Sequence, residues 1–148
     1  MAYSTQIDLE NEYTAALVLE LADDAATGDR TNADVVSRIT RAIAKADAAI
    51  DSHLRIYYDV PLATTPDFIR DLSTGLAIRN LFNRRAQAFE LPDWLVSMHA
   101  DNMAMLKSIR KGELDLGVEP PPAESSAVVA NTDGPDREFT TTTLKDFF

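Results

Sequence analysis

The strongest pattern in the chain begins at Asn32, where Val35, Val36, Ile39, Ile43, Ala46, Ile50, Leu54 and Tyr57 recur every three to four residues. That period is the apolar stripe of an amphipathic helix, and it predicts one of about 25 residues, close to 40 Å long. Arg38, Arg41, Lys45 and Asp51 fall on the opposite face, the ordinary mark of a solvated surface. The pattern breaks at YYDVPLATTP, where Pro61 forbids continuation and Thr65 with Pro66 offers a cap and a first turn for the next helix. That next helix runs through DFIRDLSTGLAIRNLFNRRAQA on Phe68, Ile69, Leu72, Leu76, Leu81 and Phe82. Gly75 inside it costs about 1 kcal/mol against alanine, which points to a close helix crossing there. A last helix is predicted from Pro92 to Arg110 on Trp94, Leu95, Met98, Met105, Leu106 and Ile109, with Gly112 ending it. Lys107, Arg110 and Lys111 suit its negative end.

Ahead of the long helix the signals are shorter. Ser4 or Thr5 can cap a first helix, with Asp8 placed to reach back, and Ile7, Leu9 and Tyr13 start its buried stripe. The apolar stretch AALVLELA follows and stops at DDAATGDRTN, where Asn32 caps the long helix. The expected fold is therefore all-α: a compact bundle of three long helices plus short N-terminal helices, over residues 1–117. Residues 118–136, with a triple proline and net negative charge, have the composition of an extended linker. Such a linker covers roughly 25 Å on average and over about 60 Å when taut. Residues 137–148, REFTTTTLKDFF, form an arm able to act far from the bundle.

Charge sharpens this division. The net charge is −10, but residues 1–31 carry seven acids against one base, residues 118–148 six against two, and residues 32–117 eleven of each. A neutral body with acidic ends argues against a tight, salt-dependent grip on nucleic acid and is compatible with a surface that lets DNA pass. No apolar run approaches a membrane span, and the opening MAYSTQIDLE is too polar and acidic for a signal peptide, so a cytoplasmic protein is expected.

Candidate chemistry is sparse. There is no cysteine, hence no disulfide, thiolate nucleophile or thiolate metal site. His53 and His99 lie on different helices and lack an evident third ligand. With Asp23 as first ligand, the loop DDAATGDRTN places Gly28 as a calcium loop would, but Ala25, Thr27 and Asp34 stand at the third, fifth and twelfth positions, so a plain turn is the better reading. Glycine-rich phosphate loops and nucleophile elbows are missing. No enzyme, cofactor or metal is expected.

Two stretches remain as binding surfaces. Arg79, Arg84 and Arg85 only partly share a helix face; they either pair with acids on neighbouring helices or meet the acidic surface of another copy. In the arm, threonine and phenylalanine favour a strand, and a strand needs a partner edge. Burying Phe139, Leu144, Phe147 and Phe148 contributes about 6–12 kcal/mol, whereas ordering the arm costs about 1–2 kcal/mol per residue. One arm alone is marginal, and several displayed together gain from effective concentration. The alternative is that the arm folds back on its own bundle.

MAYSTQIDLE at the start, KADAAIDSHLRIYYDVPL, FIRDLSTGLAIRNLFNRR, IRKGELDLG and the closing FTTTTLKDFF occur in an order spanning nearly the whole chain. Taken together they resemble the Mu-like prophage connector family, the head-completion or adaptor proteins of tailed phages. The resemblance implies a ring oligomer, about twelvefold in the virion, seated on the portal protein at the head–tail junction and extending the DNA exit channel. It also implies contact with a tail or stopper protein, passage of DNA without specific binding, no membrane, and a stay in the host cytoplasm during assembly. A soluble helical protein-binding adaptor, or a DNA-binding packaging regulator using Arg79, Arg84 and Arg85, are the competing readings. Relative to the family, DDAATGDR is poorer in glycine and aspartate and the PPPAESSAVVANTDGPD stretch is long.

Overall fold

The computed structural model describes residues 2–87 and 90–118. Within them the chain forms five helices and no strand: α1 (Gln6–Tyr13), α2 (Ala15–Ala22), α3 (Ala33–Leu54), α4 (Asp67–Arg84) and α5 (Asp93–Arg110). The expected all-α bundle of three long helices with short N-terminal helices is what the described residues adopt. The expected strand in the arm, and with it Phe139, Leu144, Phe147 and Phe148, lies outside the described residues.

Thr5 rather than Ser4 caps α1, in a capping box: the Asp8 N–H donates to Thr5 Oγ1 at 3.3 Å, and the Thr5 N–H donates to Asp8 Oδ2 at 2.7 Å. Ser4 is instead buried against Ser73, 2.8 Å away. On this two-turn helix Leu9 and Tyr13, four apart, face inward, so Ile7, about 200° round from Leu9, points out and is 67% exposed. The expectation that Ile7 joins the buried stripe fails for that reason.

The long helix α3 has 22 residues, shorter than expected, because the N–H groups of Tyr57 and Tyr58 both turn back onto the Leu54 carbonyl at 3.0 Å. The tight turn buries Tyr58 and leaves Tyr57 exposed, so the stripe ends at Leu54. Val36 lies at the edge of the stripe and is partly open. Thr65 does not cap α4. The residue at the cap position is Pro66, whose carbonyl accepts from Ile69 and Arg70, and no side chain completes the cap. Pro92 does the same for α5 through Leu95 and Val96. At the other end of α5, Gly112 with φ 74° allows the Glu113 and Gly112 N–H groups to reach the carbonyls of Ser108 and Ile109, both at 2.9 Å.

Helix α4 is the axis of the bundle. It packs most extensively on α3 and also touches α1, α2 and α5, and every residue from Leu72 to Ile78 is buried. Covering all sides of a helix needs small residues where neighbours come close, and Ser73, Thr74 and Gly75 supply them. A Cβ on Gly75 would stand 2.6 Å from Asn102 Nδ2 and 3.5 Å from Met98 Cε, so the predicted close crossing is the one between α4 and α5. Trp94 and Met105, expected on the apolar stripe of α5, are instead 47% and 42% exposed, because the face of α5 that meets the bundle is centred on Leu95, Leu106 and Ile109, with Met98 and Met103 partly buried beside them. No helix among the described residues is long and apolar enough to cross a membrane.

Candidate interaction surfaces

The C-terminal end of α2 is held by arginines. Its last three carbonyls each accept from a guanidinium: Glu20 from Arg85, Leu21 from Arg84, and Ala22 from Arg38 at 3.0 Å. A helix of two turns ends with four unpaired carbonyls and a partial negative charge, and cations there satisfy both. Asp24, just beyond, draws the same three side chains together, with Arg84 bridging its two oxygens at 2.6 and 2.9 Å, Arg38 at 3.4 Å and Arg85 at 3.8 Å. The hydrogen bonds from Arg84, and then the charges of Arg84, Arg38 and Arg85, hold the Asp24 carboxyl below its usual range against a smaller effect of burial. Arg84 and Arg85 are thus tied to acid and carbonyl groups of their own chain. Arg79 stands apart from them on α4, half-buried, with a covered Nε that has no hydrogen-bond partner among the described residues.

A second polar centre pins the N-terminal segment. Asp47 of α3, almost fully buried, accepts from the Tyr3 N–H at 3.2 Å and from the Ser73 hydroxyl at 2.8 Å. The Tyr3 hydroxyl donates to Asp51 and accepts from the Leu62 N–H at 3.1 Å. Burial pushes the Asp47 carboxyl up, and the two hydrogen bonds only partly offset that. Burial, then the bond to Asp51, pushes the Tyr3 phenol up as well. Sequence reading missed this centre: Asp47 sits among the apolar positions of α3, and only its place on the stripe, one residue from Ala46, could have marked it as buried.

The loop after α2 is organised from within. Asp23 accepts from the Thr27 hydroxyl at 3.1 Å and the Gly28 N–H at 2.8 Å; desolvation raises its pKa, and these bonds outweigh that and lower it. A carboxylate so occupied shapes a turn, as the sequence suggested. No cluster of metal-binding side chains occurs among the described residues. His53 and His99 each keep a covered Nδ1 without a partner among the described residues. Burial, with Arg110 and Lys107 nearby, lowers the pKa of His53.

Large apolar side chains stand open on α5 and around the end of α3. On α5, Trp94 stacks on Tyr13 of α1, ring centroids 6.1 Å apart, and Met105, on the same side of the helix, is also open, whereas Val96, about 200° round from Trp94, is open on the other flank. Around the end of α3, Ile56, Tyr57 and Leu114 are open beside an indentation of about 330 Å³ that Tyr58, Ile109 and Gly112 help to line. Aromatic and aliphatic groups left open in this way put apolar area in contact with water.

A small bundle of this kind, with Arg38, Arg84 and Arg85 committed to the end of α2 and several large apolar side chains open on its outside, is an all-α protein over the described residues. The chain matches the family described as bacteriophage Mu, Gp36 over residues 3–131, and it belongs to that family. It is therefore a Mu-like phage protein. No curated protein matches it.

Proposed function

We propose that the chain is a head–tail connector, a head-completion or adaptor protein that assembles with copies of itself as a ring on the portal and extends the DNA exit channel toward a tail or stopper protein. The observation that carries this reading is the open apolar side of α5, Trp94 and Met105, in a protein whose family is a phage family. Side chains of that size left in water favour a protein neighbour, and burying one such group contributes about 1.5–3 kcal/mol. On this reading the protein acts in the host cytoplasm during assembly and at the head–tail junction afterwards, holds no cofactor, performs no catalysis, and leaves DNA unbound as it passes. The residues 137–148 serve as a docking arm through Phe139, Leu144, Phe147 and Phe148, ordering on a neighbouring copy or another virion protein.

Electron microscopy of purified portal assemblies mixed with the protein tests the reading: an added ring is expected. The double variant Trp94→Ser, Met105→Ser should keep its helicity and lose the ring. A chain ending at Gly134 should keep its thermal stability and fail to assemble. Absence of a ring with the unaltered protein counts against the connector role, and melting of the truncated chain would make the arm part of the core.

A further inference from the structure

Between α3 and α4 lies an open groove of about 430 Å³ whose polar lining is Arg38, Arg41, Lys45, Asn80, Asn83 and Arg84. Four cations therefore line a single groove in a protein of net charge −10. Arg38 and Arg84 are partly neutralised by Asp24, and Asn80 donates to the Ala42 carbonyl at 3.1 Å. Arg41 and Lys45 are exposed and form no ion pair among the described residues. Arg38, Arg41 and Lys45 recur along one side of α3 over about 10 Å, a row that fits carboxylates spaced along an extended chain better than one compact anion.

The acids that match this row lie on the same chain. Residues 119–136 contain Glu119, Glu124, Asp133 and Asp136 and no base, and the family match itself continues to residue 131. The chain enters that segment beside the end of α3. The Leu116 N–H donates to the Tyr58 hydroxyl at 3.2 Å, and that hydroxyl donates to Asp115 at 3.0 Å. From Leu54 at that end, Lys45 is about 14 Å and Arg38 about 24 Å back along the helix. About seven extended residues cover the longer distance, so a segment of this length reaches the groove with slack to pass around the helix. A tether this short gives an effective concentration in the millimolar range, which favours the chain's own segment over that of another molecule.

We propose that residues 119–136 dock on the α3–α4 groove of the same chain, their carboxylates pairing with Arg41, Lys45 and the outer edges of Arg38 and Arg84. The docked segment occupies the cations that would otherwise attract nucleic-acid phosphates. This inference stands independently of the connector reading.

The full chain has no cysteine, so Ser126→Cys carries a single nitroxide label, and paramagnetic broadening of backbone amides reports what lies near it. At low salt the amides of Arg41, Lys45, Asn80 and Asn83 should lose more than about half of their intensity. At about 0.5 M salt, where the screening length falls to a few Å, the intensity should return. The combined change Arg41→Gln, Lys45→Gln should restore it at low salt, as should Glu119→Gln, Glu124→Gln, Asp133→Asn, Asp136→Asn, which leaves the bundle untouched. A mixture of isotope-labelled protein without nitroxide and unlabelled protein with it should show no such broadening. Broadening in that mixture would assign the groove to a second copy, and uniform or absent broadening in the singly labelled chain would overturn the docking. If short duplex DNA shifts the groove amides equally in the unaltered chain and in the variant lacking the four acids, the acids do not cover the groove and the proposal is wrong.

Discussion

Replacing Asp47 separates what the buried centre needs from what it carries. Its Oδ2 receives the Tyr3 N–H and its Oδ1 the Ser73 hydroxyl, and Ser73 continues to Ser4. In Asp47→Asn the amide oxygen can take the Tyr3 N–H while its NH2 donates to Ser73, whose hydroxyl turns to Ser4. All bonds survive and the buried charge is gone, so stability at neutral pH should stay within about 1 kcal/mol of the original. In Asp47→Ala the Tyr3 N–H, on a residue only 3% exposed, loses its acceptor. Hydrogen bonds to an ionised group contribute about 1.5–3 kcal/mol each, and relief of the desolvated charge returns part, so a loss of about 2–4 kcal/mol is expected. The pH dependence follows from the direction of the shift. The folded pKa of Asp47 lies above its ordinary 3.8, so its contribution to stability is complete below that ordinary value and is lost as pH rises through the folded pKa. The gap between the original protein and Asp47→Asn should therefore move in favour of the original on going from pH 7 to about pH 4.5. Asp23, Asp24, Asp29 and Asp115, whose pKa values are lowered, weaken both proteins on acidification and cancel in that gap. Urea unfolding followed by circular dichroism at both pH values measures it. An alanine variant as stable as the asparagine one, or a gap that ignores pH, would refute the account.

Two further outcomes test the helix junctions. Gly75→Ala gains about 1 kcal/mol of helix propensity and must displace only the amide end of Asn102, so its midpoint should move little, whereas Gly75→Leu should cost about 2–3 kcal/mol by forcing α5 away; equal effects would mean the crossing is not close. Thr14, with φ 71° and ψ 140°, ends α1 and caps α2 by accepting from Leu17 at 3.4 Å. Thr14→Ala should cost about 1 kcal/mol, and Thr14→Gly should be the more stable of the two because glycine accepts that backbone, as thermal unfolding would show.

The helices were legible because their signals are local. The stripe from Val35 to Leu54, the proline breaks at Pro61 and Pro66, and the glycine at position 112 each act within a few residues. What escaped depends on neighbours distant in sequence. Ser4 looked as able to cap as Thr5, and only the approach of Ser73, contributed by α4, removes it. Trp94 and Met105 belong to the stripe of α5 by spacing, yet a helix at the edge of a bundle buries a narrower face than a central one, and the sequence does not say which helix is central. The arginines show both sides of this. Their pairing with nearby acids was one of the two readings open to Arg84 and Arg85, and it is realised at Asp24, an acid that loop composition alone had left as one more solvated charge.

Charge counting misleads for the same reason. Residues 32–117 balance at eleven acids and eleven bases, and an even mixture would give a featureless surface. In the fold the charges sort by use. Arg38, Arg84 and Arg85 serve the end of α2. Asp47 is withdrawn into the core by Tyr3 and Ser73. What this leaves on the α3–α4 side is Arg41 and Lys45, exposed along a groove that already contains two more cations. A local row of cations can thus coexist with a net negative charge, because screening confines each charge's influence to about 8–10 Å while the excess of acid sits largely at the chain ends. The overall balance acts at a distance, and the row of Arg41 and Lys45 acts only on groups within that range.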